Sequence, residues 1–249
     1  MDEYKYGSKL KSLIMKIYVV GSSKNKFLPL DNIREKFLID EKHEGDNIDF
    51  LNPWYCELTG LYYLWKHCDD DIVGLEHYRT YFWKDGHPIN EAQIKEELKK
   101  GDIICGGYSY PAPWCRTCCY DELNKCTKGT VLQFLKVLEK KDKDFEEYFK
   151  RFLRGKRLWA CNLFIGPKKI FDEWMEFFFD VIVYFERICP IGPRTNTLRR
   201  EGYFAEFAFG AWLEYKGYKI VDTSIMKLNK KLTKPEQIMT NVNTRIICK

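Results

Sequence analysis

The sequence lacks any run approaching the roughly 18 uninterrupted apolar residues of a membrane-spanning helix. Its most apolar segment, FFFDVIVYFE (177–186), is interrupted by Asp180 and has helical periodicity. The first twenty residues, MDEYKYGSKLKSLIMKIYVV, scatter Lys9, Lys11 and Lys16 through their only apolar stretch and show no small-residue cleavage site. A secretory leader is therefore not expected, and the chain reads as cytoplasmic. Strong basicity is missing too. Lys and Arg number 41 against 36 Asp and Glu, for a formal charge of +5 and a pI near 8.5. That falls short of the pI above about 9 typical of dedicated nucleic-acid binders, so no nucleic-acid partner is expected. It suits a phosphorylated ligand, and the basic stretch KLNKKLTK (227–234) suits peripheral contact with the inner face of an anionic membrane.

Other absences narrow the chemistry. There is no Walker motif and no G-x-G-x-x-G, and no internal repeat or low-complexity linker divides the chain. The one acidic run, Asp69-Asp70-Asp71, precedes an apolar strand instead of following it. In open α/β sheets ligands bind beyond the carboxyl ends of strands, so this run reads as a solvated turn and not as a metal-holding D-x-D.

What is present is a globular chain of 249 residues, 45% apolar and 31% charged, long enough to bury a sizeable core. MKIYVVGSS (15–23) is an apolar β-rich run ending in Gly and Ser. NPWYCELTGLYYLWKH (52–67) sets Pro53 at a helix start, DIVGLEHY is a second strand, and 24–52 is polar and irregular. Helices are predicted at 90–100, 129–139, 142–154, 168–187 and from 197 to a stop at Gly217. Strands are predicted at 102–105, 158–167 and just before Thr223. Strand–helix alternation predicts an α/β fold around a mostly parallel sheet, one domain over 15–249 preceded by an extension, 1–14.

Ten cysteines in a chain without a leader read as thiols. Four crowd into PAPWCRTCCYDELNKC as Cys115, Cys118, Cys119 and Cys126. Zinc ligation by these four is one reading, but a second pair at fixed spacing and a nearby His are both lacking. The preferred reading makes 106–128 a solvent-facing Cys-rich insertion loop.

Several stretches bring chemistry to a strand end. DIVGLEHYRTYF (71–82) runs a buried strand straight into Glu76, His77, Tyr78 and Arg79, either a ligand-facing constellation or a structural pair. Gly21 and Ser22 follow the first strand, and Asp46 and Asn47 form a loop able to bond sugar or ribose hydroxyls. Asn162 is a polar residue inside an apolar strand and needs a partner if buried. Arg199 and Glu206 stand seven residues apart, nearly on one helix face, as an ion pair or as a base beside an anion clamp.

The blocks MKIYVV, GDNI, NPWYCELTGLYYLWK, VGLEHYRTYF, ACNLFIGPKKIFDEW and R-x-x-G-Y-F-A-E, in this order, resemble the bacterial family called domain of unknown function 4422. The resemblance runs from about Lys16 to Thr223. It implies an A-type glycosyltransferase-like fold and a sugar transferase of capsular or exopolysaccharide synthesis. The donor would be a nucleotide diphosphosugar such as a UDP-sugar, carrying galactofuranose or a hexose. The acceptor would be a glycan or lipid-linked glycan, with a divalent cation (Mn²⁺ or Mg²⁺) a candidate cofactor. It implies that His77 and Arg79 stabilise the departing diphosphate, that Glu206 is the base, and that Tyr55, Glu57, Tyr78, Asn162, Arg199 and Tyr203 meet substrate. The family's H-Y-R-R-Y-F has Thr80 in place of its second Arg, and Phe207 replaces its Arg after A-E. Rival readings are a non-catalytic nucleotide-sugar- or glycan-binding relative and a zinc-stabilised interaction protein.

Overall fold

The structure is a computed structural model that describes residues 14–109, 118–192, 199–228 and 246–248. Of 108–109, 160–161 and 246–248 only the backbone is described. Cys115, most of the expected extension and most of KLNKKLTK lie outside the described residues.

The central strands are β1 (Met15–Gly21), β2 (Arg34–Leu38), β3 (Ile72–His77), β6 (Ile103–Ser109), β7 (Arg157–Pro167) and β8 (Ile220–Asp222). Hydrogen bonding orders them β2-β1-β3-β7-β6-β8. β4 (Thr80–Lys84), β5 (His87–Pro88), β9 (Ile225–Lys227) and β10 (Ile246–Cys248) extend the same sheet as a ribbon. The expected mostly parallel sheet is corrected to a mixed one. Four strand pairings are parallel and five antiparallel among the described residues. Two features produce the mixture. β3 folds back into β4 through a two-residue turn, and β7 lies antiparallel to both neighbours.

Side chains alternate across the sheet, as the two-residue strand period requires. Tyr18, Val20, Val73, Leu75, Ile103, Cys105 and Phe164 enter the larger core beneath the helices. Ile17, Ile72, Ile104, Leu163 and Ile165 enter a smaller core on the other face, with Ile94 of α3 (Glu91–Leu98) and Phe82 and Ile225 of the ribbon. α3 begins at a capping box in which Asn90 and Gln93 satisfy each other's backbone N–H.

The helix layer contains α1 (Asn52–Tyr55), α2 (Leu58–His67), α4 (Cys119–Cys126), α5 (Val131–Lys141), α6 (Lys143–Leu153), α7 (Lys168–Ile188) and α8 (Arg200–Tyr215). α8 is its centre. Every residue from Arg200 to Leu213 is buried except Tyr203 and Glu206. Phe204 stacks on Phe134 of α5 at 4.0 Å, and Trp212 meets Trp174 of α7 at 5.6 Å. Gly210 lets the helix close on β7, since a Cβ there would lie 1.9 Å from Cδ1 of Trp159. The segment expected to be an insertion loop is corrected at both ends. Residues 106–109 continue β6, and Cys119–Cys126 is helical with Cys119 and Leu123 fully buried.

Candidate functional site

The parallel strands β1 and β3 deliver their carboxyl ends to one side of the sheet, and antiparallel β7 brings its amino-terminal half there. Beyond the last β3–β7 pairing, Leu75 with Phe164, two further residues on each strand reach His77 and Asn162. In open α/β sheets ligands bind beyond the carboxyl ends of the strands, which makes this edge the candidate site.

The stretch Glu-His-Tyr-Arg divides there into structural and accessible parts. Glu76 is fully buried, and its carboxylate is engaged within the protein. It accepts from Arg34 Nε at 2.7 Å, from Arg34 Nη2 at 3.1 Å and from the Phe82 N–H at 3.0 Å. Burial pushes its pKa up, and the guanidinium and N–H oppose that by bonding the ionised form. Arg34, within a segment expected to be irregular, also bonds Asp31 and the Ile89 carbonyl. His77 is half-buried and ends β3. Tyr78 and Arg79 form the tight turn, with the exposed Arg79 guanidinium 5.5 Å from the Tyr78 ring. Gly21 backs this turn, because a Cβ there would lie 2.9 Å from Tyr78 Cβ and 2.7 Å from the Phe27 ring. Ser22 is tied into its own loop, its N–H and hydroxyl both donating to Asn25. Thr80 is buried opposite His77, and Phe207 belongs to the core.

A second group assembles around the turn between α1 and α2. Asn162, 2% exposed, donates its amide to the Glu57 carboxylate at 2.9 Å. Cys56 bonds Arg199 side chain to side chain, and the Arg199 N–H donates to the Pro53 carbonyl at 3.0 Å. Gly202 permits the close approach, since a Cβ there would sit 3.2 Å from the Tyr55 carbonyl. Burial pushes the Cys56 thiol up to about 12, so it is protonated at neutral pH and is no nucleophile. The Arg199 guanidinium lies 5.6 Å from the Tyr203 ring, and Tyr203 and Glu206 continue that stripe along α8. Glu206 is half-buried, within electrostatic reach of Tyr203 and of Cys126 on α4.

Three expected substrate contacts are engaged elsewhere. The Asp46 carboxylate accepts from the Tyr62 hydroxyl at 2.9 and 3.0 Å. Asn47 bonds the His43 and Gly45 carbonyls and the Asp49 N–H, holding its own loop. Tyr55 is 1% exposed and donates its hydroxyl to Glu186, an interior position and not a stacking surface. The described cysteines face protein groups: Cys118 bonds Asp121, Cys119 the Arg157 carbonyl, and Cys126 Glu122. Among the described residues no three His, Cys, Asp or Glu are grouped to hold a metal ion.

Sequence reasoning missed the buried Arg200–Glu201 pair at the start of α8. Arg200 also donates to the Cys189 carbonyl at 2.7 Å. Glu201 is fully buried, and burial pushes its pKa up to about 7 despite Arg200. The signal was the adjacent ionisable pair in RREGYFAEF, which periodicity alone leaves on a surface.

No helix among the described residues is long and apolar enough to cross a membrane. A search of curated proteins finds no match. A search of solved structures finds the apo structure of the bifunctional glycosyltransferase WbbM, with a TM-score of 0.69 and 22% identity. The similarity covers 87% of this chain and 45% of that one, so this chain spans less than half of that protein's length. The fold is therefore that of a region of a glycosyltransferase. The profile of a family described as a domain of unknown function, DUF4422, matches residues 4–217, starting before the expected boundary at Met15 and ending short of Thr223. By that match over most of its length, the chain belongs to the DUF4422 family.

Proposed function

We propose that this chain is a glycosyltransferase that moves a sugar from a nucleotide diphosphosugar, a UDP-sugar, to a glycan or lipid-linked glycan acceptor of surface polysaccharide. The observation that carries this reading is the stripe on α8. Between Arg200 and Leu213 this helix is sunk in the core and opens only at Tyr203 and Glu206, continuing from exposed Arg199 at the end where β1 and β3 finish in a glycosyltransferase-like sheet. Transfer needs a cationic partner for the departing diphosphate and, for inversion, a base for the acceptor hydroxyl. In this reading Arg199, Arg79 and His77 meet the diphosphate, backed by Gly21 and Ser22. Tyr78 and Tyr203 offer ring faces to the uridine or the sugar. Glu206 takes the acceptor proton.

Glu206→Gln tests the reading, because it keeps size and hydrogen bonding while removing proton acceptance. Turnover is expected to fall by about 10²–10⁴-fold with donor affinity unchanged. Wild-type turnover in this variant would remove Glu206 as the base. The lipid-linked acceptor and the Lys-rich stretch 227–234 together support residence at the inner face of a membrane. Liposome flotation that ignores anionic lipid and salt would oppose that part.

A further inference from the structure

Asn162 is a polar residue that folding alone does not explain. It interrupts an apolar strand, is 2% exposed, and has a left-handed backbone at φ +53°. The orientation of its amide follows from its neighbour. A carboxylate at 2.9 Å can only accept, so the NH₂ half faces Glu57 and Oδ1 is turned away. No donor among the described residues reaches that buried Oδ1. A buried acceptor without a donor is costly, and so is a left-handed Asn. An apolar residue in ordinary strand conformation would avoid both costs. The second oxygen of half-buried Glu57 likewise receives no hydrogen bond among the described residues.

The surroundings repeat the pattern. Among the described residues five non-glycine residues have positive φ, and three of them (Cys56, Asn162 and Arg199) belong to this one patch. Cys56 precedes Glu57 and bonds Arg199, and Glu57 bonds Asn162. Strain of this kind concentrates where a ligand is gripped.

We propose that Glu57 and Asn162 form a hydroxyl-recognition pair for a sugar ring. The free Glu57 oxygen and Asn162 Oδ1 each accept from one hydroxyl, and Asn162 also fixes the Glu57 carboxylate. The two positions left open, the second Glu57 oxygen and Asn162 Oδ1, are both acceptors, and the carboxylate repels the anionic diphosphate, directing it toward Arg199 and Arg79. A sugar with two neighbouring hydroxyls supplies what the pair lacks. The inference rests on the glycosyltransferase reading for its ligand, but sugar selection is separable from nucleotide binding and from turnover.

The test is calorimetric titration of the full chain with UDP-galactose, UDP-glucose, UDP and methyl galactoside, with matched thermal unfolding of every variant. Glu57→Gln keeps a carbonyl oxygen for Asn162 and loses the charge. It is expected to weaken sugar-bearing nucleotides by about ten- to a hundredfold and to leave UDP unchanged. Glu57→Asp keeps the charge but withdraws it from Asn162; it should give the same pattern and stands in should the Gln variant not fold. Loss confined to methyl galactoside also supports the pair, assigns it to the acceptor, and leaves the donor to other residues. Equal loss for UDP and UDP-sugars, or no loss for any probe, overturns the pair. Wild-type protein that binds UDP as well as any UDP-sugar and ignores methyl galactoside overturns it while leaving nucleotide binding standing. Wild-type protein that binds no probe overturns both readings.

Discussion

Replacing Glu76 by Gln separates structure from chemistry in the stretch that first suggested a site. The carboxylate is fully buried and bonds Arg34 twice, and the Arg34 side chain is itself 2% exposed. Removing one partner of a buried pair leaves an uncompensated charge, typically a loss of about 3–5 kcal/mol. Arg34 keeps Asp31 at 2.7 Å and the Ile89 carbonyl at 2.9 Å, which places this case at the lower end. A loss of about 3 kcal/mol corresponds to a melting point lower by about 6–12 °C for a domain of this size. The double variant Arg34→Met, Glu76→Leu removes both charges and should recover most of that loss. Differential scanning calorimetry reads the stability, and nucleotide-sugar titration reads the site. Should Glu76→Gln melt with the wild type yet lose turnover, Glu76 is part of the chemistry and the assignment of this strand end is wrong.

Three further outcomes are expected. Gly210→Ala puts a methyl 1.9 Å from Cδ1 of Trp159, whose indole N–H is fixed on Glu214 at 3.0 Å, so overpacking should cost about 1–3 kcal/mol or more; an unchanged melting point would contradict the α8–β7 contact. Glu201, raised from 4.5 to about 7 by burial, binds its proton more tightly folded than unfolded, so stability should fall as pH rises between those values. Glu201→Gln should flatten that part of the profile, and a melting-point profile identical to wild type would show that Glu201 is ionised throughout. Arg79→Ala removes an exposed guanidinium with little packing, so the melting point should hold while nucleotide-sugar affinity falls; unchanged affinity would leave Arg79 a surface residue.

Much of the fold was legible because it rests on local pattern. The amphipathic run 168–187 is α7, the charged segments near 131 and 143 are α5 and α6, and Gly217 follows α8 where a stop was expected. Strand direction was not legible. Alternation of strands and helices implies parallel neighbours, but the hairpin at Tyr78–Arg79 and the return of β7 against β3 are decided by tertiary pairing. β2, β4 and β9 were missed because five- and three-residue strands carry little periodic signal. Of the site, Asn162 was conspicuous as a polar residue in an apolar strand, yet its partner Glu57 lies 105 residues away and only the structure joins them. Glu76 misled for a related reason. Its partner Arg34 is 42 residues distant in a segment without helical or strand pattern, so the carboxylate looked available when it was already paired.

The central claim is that the α8 stripe and the ends of β1, β3 and β7 form a nucleotide-sugar site. Thermal unfolding of the purified chain with a panel of UDP-sugars, followed by assay of released UDP, tests it most directly. A ligand bound only by the folded state stabilises it, by about 2.7 kcal/mol at a hundred times its Kd. The account predicts that at least one UDP-sugar raises the melting point and is consumed, and that Glu206→Gln keeps the shift but loses the consumption. A panel in which no UDP-sugar moves the melting point and none is consumed would contradict it.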